Sequence, residues 1–240
     1  MPHTRMTLSE AADYLTMTEE DILSLVKQRE IPHERAGSRY VFTRSEIDAW
    51  ASQRLLGLKE DRLQAYHRRS SAKMHDLSKK SAIMAELLRP EWIVPALTCR
   101  TKSSIIRDMV ELADRTGLLN DRELLLHNVM EREKMCSTAL SGGLAILHGQ
   151  HHEPYLSEDS FIVLGRTVQP IPFGSPDGRT TDMFFLVCCQ DERIHLHVLA
   201  RICMLCYHTP LLLTLREAED AQAMYDAIVA VEVELIRTQS

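Results

Sequence analysis

The hydrophobic pattern divides the chain into two unequal parts with a polar, basic stretch between them. Over residues 6–54 three segments carry helical spacing. Each starts at a threonine with an acidic residue three places on: Thr7 with Glu10, Thr18 with Asp21, and Thr43 with Glu46. A threonine so placed caps the first turn while the carboxylate answers it, so three short helices are expected. Between the second and third, IPHERAGSRYVFT sets a helix-ending Pro32 before two extended runs that flank Ala36-Gly37-Ser38, as a hairpin turn requires. Helix, helix, hairpin, helix describes a small winged helix with Trp50 closing its core. From Trp92 onward helices are expected near Lys102–Arg115 and Asp121–Lys134, followed by a short strand ending at His148. Strands follow near Phe161–Val168 and Asp182–Cys189, then a helix near Glu192–Tyr207, a strand over Leu211–Leu215 and a last helix over Glu217–Ile236. That order predicts an α/β fold, a mixed sheet flanked by helices on both faces.

Composition adds limits. At 240 residues, 45% hydrophobic and 26% charged, the chain has ample material for packed cores. The start MPHTRMTLSE lacks an apolar signal core, and no run approaches the roughly 18 apolar residues of a membrane span, so a cytoplasmic protein with no membrane partner is expected. The six cysteines, Cys99, Cys136, Cys188, Cys189, Cys203 and Cys206, form no secreted-domain framework and are expected to be reduced. Residues 1–90 carry 15 Lys/Arg against 13 Asp/Glu, whereas residues 91–240 carry 13 against 21. The acidic part therefore argues against contact with nucleic acid. Residues 55–90 hold 8 basic and 4 acidic residues and read as a helical connector. Arg68, Arg69, Lys79 and Lys80 could add nonspecific phosphate contacts there, although such a run is as a rule a solvated face. The expected division is 1–56, 57–90 and 91–240.

Candidate chemistry centres on residues 131–149, EREKMCSTALSGGLAILHG. Leu144-Ala145-Ile146-Leu147, bounded by Gly142-Gly143 and Gly149, looks like a short buried strand. His148 then stands where the strand leaves the core, a place from which one ring nitrogen can face outward as a nucleophile toward phosphorus. With an ordinary imidazole pKa of about 6.5, the neutral nucleophilic form dominates in a cell. Arg132 is the nearest upstream guanidinium, a planar fork suited to phosphate. A structural, hydrogen-bonded histidine has the same sequence appearance, and spacing does not choose between the two. HGQHH and Cys203-Met204-Leu205-Cys206 with His208 invite a metal reading, but no second C-x-x-C follows and no carboxylate ligands sit at fixed spacing. Neither metal nor cofactor is expected. Fingerprints for ATP hydrolysis, ester hydrolysis and hydride transfer are absent from the sequence.

EREK, then ST, then GG-A-I-x-HG, followed by QPIPFG, TDMFFLV and HLHVLARI, resembles the IIA domain of the bacterial phosphotransferase system, of the fructose, mannitol and nitrogen-regulatory type, over about residues 91–237. The resemblance implies that His148 accepts phosphate from the histidine-containing phosphocarrier HPr, with Arg132 and His195 in support. Leu147 stands where that family usually has proline. The two histidines of HLH lie about 200° apart around a helix, so only one can face His148. His195 aligns with Leu199, Ile202 and Cys206, whereas His197 shares its side with Arg201, Met204 and His208, which places His195 at the acceptor.

LSEAADYL with IPHERAGSRYVFTRSEIDAW is similar to excisionase and MerR-like DNA-binding domains over residues 7–51. That implies a second helix in the major groove and a wing on phosphate, making Ser24, Lys27, Gln28, Arg35, Ser38 and Arg39 the candidate contacts. Glu19, Glu20 and Asp21 depart from the family's usual helix start and would repel phosphates. Together the two parts suggest a regulator that couples phosphorylation of a IIA-like domain to DNA binding. The alternatives are a sugar-transport phosphocarrier whose N-terminal domain binds protein, or a IIA domain that binds partners without phosphorylation. Pairing into a homodimer is left open.

Overall fold

A computed structural model describes residues 5–15, 17–37, 39–56, 83–150, 155–190 and 192–239. In the N-terminal part, α1 (Leu8–Tyr14) and α2 (Glu19–Lys27) begin at the reciprocal threonine and carboxylate caps expected of Thr7 with Glu10 and Thr18 with Asp21. The hairpin forms from β2 (Glu34–Ala36) and β3 (Arg39–Thr43), and β1 (Arg5–Met6) adds to the other edge of β3, giving the antiparallel order β1-β3-β2. This third strand, two residues long, was too short to carry a pattern. Gly37 takes φ +65° at the turn, the conformation a hairpin of this kind needs. α3 (Arg44–Leu56) completes the unit.

Trp50 does not close this core. Ile22, Phe42 and Ile47 are fully buried and do so, while Trp50 is half-buried at the margin with its indole N–H donated to the Glu30 carbonyl and Arg54 over its ring. An indole that must satisfy its N–H settles where a carbonyl is within reach rather than in the apolar centre.

Residues 57–82, including Arg68, Arg69, Lys79 and Lys80, lie outside the described residues. The chain is described again at α4 (Ile83–Leu87), where Ile83, Met84, Leu87 and Leu88 are buried in the main core. These residues, read from sequence as the end of the connector, are therefore core.

The C-terminal part is built on β4 (Ile93–Leu97), β5 (Ala139–Leu140), β6 (Leu144–His148), β7 (Phe161–Ile171) and β8 (Thr181–Cys188), in the order β4-β7-β8-β6-β5. β4 with β7 and β6 with β8 are parallel; β7 with β8 and β5 with β6 are antiparallel. Side chains alternate across the sheet, and β6 shows the consequence. Leu144 and Ile146 enter one core, Ala145 and Leu147 the other. The Ala145 face is covered by α5 (Lys102–Asp114) and α6 (Arg122–Met135). The Leu144 face is covered by α4, α7 (Glu192–His208), α8 (Leu211–Glu217) and α9 (Ala221–Gln239). Helices on both faces of a mixed sheet are as expected.

Leu211–Leu215 is not a strand. It forms α8, with Leu211, Leu212 and Leu215 buried and Leu213 exposed, a spacing of one, three and four that suits a helix face. Four apolar residues in five look alike for a buried strand and a buried helix; Pro210 at the N-cap decides, since it opens a first turn without needing an N–H. α9 starts at Ala221, four residues later than expected, because Glu217 ends α8 and Asp220 accepts the Ala223 N–H at the new start. α3 of the N-terminal part packs against α7, and the apolar residues of the two parts run together on the Leu144 face. Among the described residues no single helix is long and apolar enough to cross a membrane.

Candidate functional site

The site begins with the turn that feeds β6. Gly142 and Gly143 have φ of +83° and +88°, and a Cβ on Gly143 would stand 2.5 Å from Arg216 Nη2 and 2.8 Å from Asp182 Oδ1. Glycine is therefore needed there both for the backbone and for the Arg216–Asp182 ion pair, 2.7 Å, that closes against it. The turn sets β6 in register with β8, Leu144 opposite Met183 through His148 opposite Val187. Leu147, where proline is usual in the family, is fully buried in the second core and keeps this register. His148 is the last residue of β6, on the Leu144 and Ile146 side.

His148 is only 2% exposed and held from two directions. Its Nδ1 lies 2.9 Å from the Ile146 carbonyl, and Arg132 Nε donates to its Nε2 at 3.2 Å. A carbonyl only accepts and a guanidinium only donates, so the proton sits on Nδ1 and Nε2 carries the lone pair. Arg132 reaches this point from the last turn of α6, and its Nη1 also donates to the Cys136 carbonyl at 2.9 Å. The guanidinium is 3% exposed, and burial pulls its pKa below the ordinary value while neighbouring Glu133 opposes that. His195 of α7 brings its ring to 5.0 Å from that of His148, centroid to centroid, at a tilt of 56°. Arg132, His148 and His195 are thus brought together from α6, β6 and α7.

His197 does not face solvent. It is 3% exposed beside Arg201, whose guanidinium pairs with Glu232 of α9 at 3.1 Å. Burial, with the Arg201 charge second, holds His197 down at about 4. The i, i+2 spacing puts the two rings on different sides of α7, and sequence could not show that the Arg201 beside the second one is paired to α9.

A supporting network went unseen in the sequence. Glu133 is buried and accepts from Thr138 N at 3.0 Å, Thr138 Oγ1 at 2.6 Å and Lys102 Nζ at 2.7 Å. Ser137 Oγ donates to the Phe173 carbonyl at 2.6 Å. A buried carboxylate must be answered by donors, and here the answer locks the turn whose Cys136 carbonyl grips Arg132. Only the adjacency of ERE and ST hinted at it. Asn128 stands one helical turn before Arg132, on the same face of α6, and is 6% exposed. Its backbone carbonyl accepts from Gln150 N at 3.3 Å, whereas its side-chain Nδ2 has no partner among the described residues. A buried amide donor one turn from a buried guanidinium is suited to an anion's oxygen, and the i, i+4 spacing to Arg132 was the signal available.

Cys136 is exposed and the other five cysteines are buried, and none of the six is in a disulfide. Cys203 lies in the core, where burial raises its thiol to about 12, and Cys206 is raised further for the same reason. Among the described residues there is no group of three His, Cys, Asp or Glu side chains suited to a metal ion. His151 and His152 lie outside the described residues.

On the winged helix, Ser24, Lys27, Gln28, Arg35 and Arg39 are all exposed. Gln28 Nε2 donates to Ser24 Oγ at 3.2 Å, and Arg35 Nε to the Gly37 carbonyl at 3.3 Å. Ser38 lies outside the described residues. Glu19, Glu20 and Asp21 occupy the first turn of α2.

Residues 86–230 match the family described as the phosphoenolpyruvate-dependent sugar phosphotransferase system, EIIA 2, and residues 5–55 match a helix-turn-helix domain. A nitrogen regulatory protein of Bradyrhizobium diazoefficiens is 33% identical over 147 residues, 60% of this chain and 94% of that protein. One from Escherichia coli K12 is 28% identical over 154 residues, 62% of this chain and 91% of its own. The crystal structure of IIA-Ntr from Neisseria meningitidis matches with a TM-score of 0.56 at 22% identity, covering 61% of this chain and 99% of that one, which shows a shared fold. With a family match over more than half its length and the fold to accompany it, the chain belongs to the type 2 EIIA family of the phosphotransferase system and carries a helix-turn-helix domain at its N-terminal end.

Proposed function

We propose that the chain is a cytoplasmic phosphohistidine-accepting regulator, taking phosphate from an HPr-like phosphocarrier on His148 and coupling that event to DNA binding by the N-terminal domain. The observation that carries this is the tautomer: Nδ1–H is spent on the Ile146 carbonyl, so Nε2 presents its lone pair beside a guanidinium. In transfer, Nε2 forms a bond to phosphorus as the donor's nitrogen–phosphorus bond breaks, and the leaving imidazole keeps the electron pair. The proton stays on Nδ1, donated to the Ile146 carbonyl. Arg132 answers the phosphoryl oxygens, with His195 and the Asn128 amide as further donors. With α4 in the core, we place the start of the phosphorylated unit at residue 83. The test is incubation of the full chain with phosphorylated HPr. One acid-labile, alkali-stable phosphate is expected, lost in His148→Ala, whereas equal labelling of both proteins would sink the assignment.

A second reading keeps the phosphocarrier but gives the N-terminal domain a protein partner, and the carboxylates of Glu19, Glu20 and Asp21 at the start of α2 favour it. Retention of genomic fragments by the full chain at low salt supports the DNA reading, and no retention supports the protein one.

A further inference from the structure

The sheet-covering helix that carries His195 is buried all the way round. Every residue of α7 from His195 to Cys206 is buried, polar ones included. A helix lying on a sheet ordinarily leaves a polar stripe to solvent, so burial on every side means that something covers the outward stripe. α3 packs there, and the apolar residues of the N-terminal domain join those of α7 in one core. At the rim of the acceptor, α3 also reaches α6: Gln53 Nε2 lies 3.5 Å from Cys136 Sγ. The Cys136 carbonyl in turn accepts from Arg132 Nη1, and Arg132 Nε donates to His148 Nε2. A line of contacts thus runs from the N-terminal domain to the acceptor nitrogen.

We infer that the outward side of α7, with the rim at Cys136, is the seat of α3, and that occupation of this seat by α3 and phosphorylation of His148 exclude one another. The inference rests on His148 being the acceptor. In-line transfer brings the donor's phosphorus to roughly 3–3.5 Å from Nε2. At 2% exposure, with Nε2 covered by Arg132, no donor protein can approach to that distance until the rim moves. A phosphoryl group adds charge of about −2 and three acceptor oxygens at this point, and Arg132 must turn from Nε2 to meet them. Its bond to the carbonyl of Cys136, the residue whose Sγ Gln53 of α3 touches, is then strained or lost. The linkage is reciprocal: whatever holds α3 down slows acceptance, and phosphate on His148 loosens α3. Ser24, Lys27, Gln28, Arg35 and Arg39 remain exposed with α3 seated, so the phosphate controls where the winged helix is placed rather than whether its DNA face is open.

Gln53→Cys in the full chain tests this. Position 53 is exposed, so the fold is retained, and Cys136 is the exposed native cysteine. A short two-armed thiol reagent should join positions 53 and 136, and the joined chain should gain phosphate from phosphorylated HPr at least about 10-fold more slowly than the same variant unjoined, since only a minor open population accepts. Chain already phosphorylated should join correspondingly more slowly. Failure of the two thiols to join would overturn the inference, because α3 would not be at the rim. Equal rates in joined and unjoined chain would overturn it while leaving His148 as acceptor. A one-armed reagent at Cys136 that slows transfer as much as joining would trace the effect to that thiol and overturn it as well. Absence of labelling even in the unjoined variant would remove both the acceptor assignment and the inference built on it.

Discussion

Removing Arg132 separates holding phosphate from accepting it, and the structure gives the change two magnitudes. The residue stands in the last turn of α6. At 3% exposure, with bonds to His148 Nε2 and the Cys136 carbonyl, it also holds the turn together. Arg132→Ala forfeits charge-assisted bonds to the part-buried Cys136 carbonyl and to His148 Nε2, worth roughly 1.5–3 kcal/mol, less what is recovered by no longer burying a guanidinium. A net loss of about 2 kcal/mol lowers the thermal midpoint of a chain this size by about 4–8 °C. The effect on transfer is larger. Losing a preorganised cationic donor at phosphorus slows the step by about 100-fold, or about 2.7 kcal/mol of barrier. Arg132→Lys keeps the charge but cannot bridge Nε2 and the Cys136 carbonyl as a planar fork does, so it should recover only part of the rate. The assay pairs the rate of phosphate gain from HPr with the thermal midpoint of each variant. A wild-type rate in Arg132→Ala would take the arginine out of the mechanism, and an unchanged midpoint would refute its role in the turn.

His197 gives a pH dependence of defined sign. Its folded value of about 4 lies below the ordinary 6.5, so between these limits the unfolded chain binds the extra proton and stability falls as pH drops, by up to about 3 kcal/mol. Thermal midpoints from pH 7 to pH 5 should fall less steeply in His197→Gln, and parallel slopes would refute this. Asn128→Leu should slow transfer about 10-fold yet raise the midpoint, because a buried amide with no partner among the described residues costs roughly 1–3 kcal/mol; a lowered midpoint with normal transfer would assign Asn128 to structure. Joint replacement of Arg35 and Arg39 by alanine should weaken retention of all DNA fragments and reduce the salt slope by about 2, whereas Gln28→Ala should alter sequence preference; binding that ignores salt would contradict this.

Much of this protein was legible along the chain because the deciding forces there are local. Thr7 and Thr18 cap α1 and α2 through carboxylates three residues away, and glycine at 142 and 143 bounds a four-residue apolar run, so helices and strand follow from neighbours in sequence. The i, i+2 separation of His195 and His197 likewise singled out the one that meets His148. Tertiary structure decided the rest. Leu211–Leu215 became a helix because a short apolar run suits either buried form, and its surroundings with Pro210 chose. Trp50 moved to the margin to satisfy its indole, and Arg201, whose charge stands beside the buried His197, is paired by Glu232 of α9, 31 residues away. Glu133 could lock the turn behind Arg132 only once Lys102 of α5 had been brought alongside. The seating of α3 on α7 left the least trace in sequence, since an apolar helix face specifies that it will be covered and not by what. That choice is made by shape and adjacency in the folded chain.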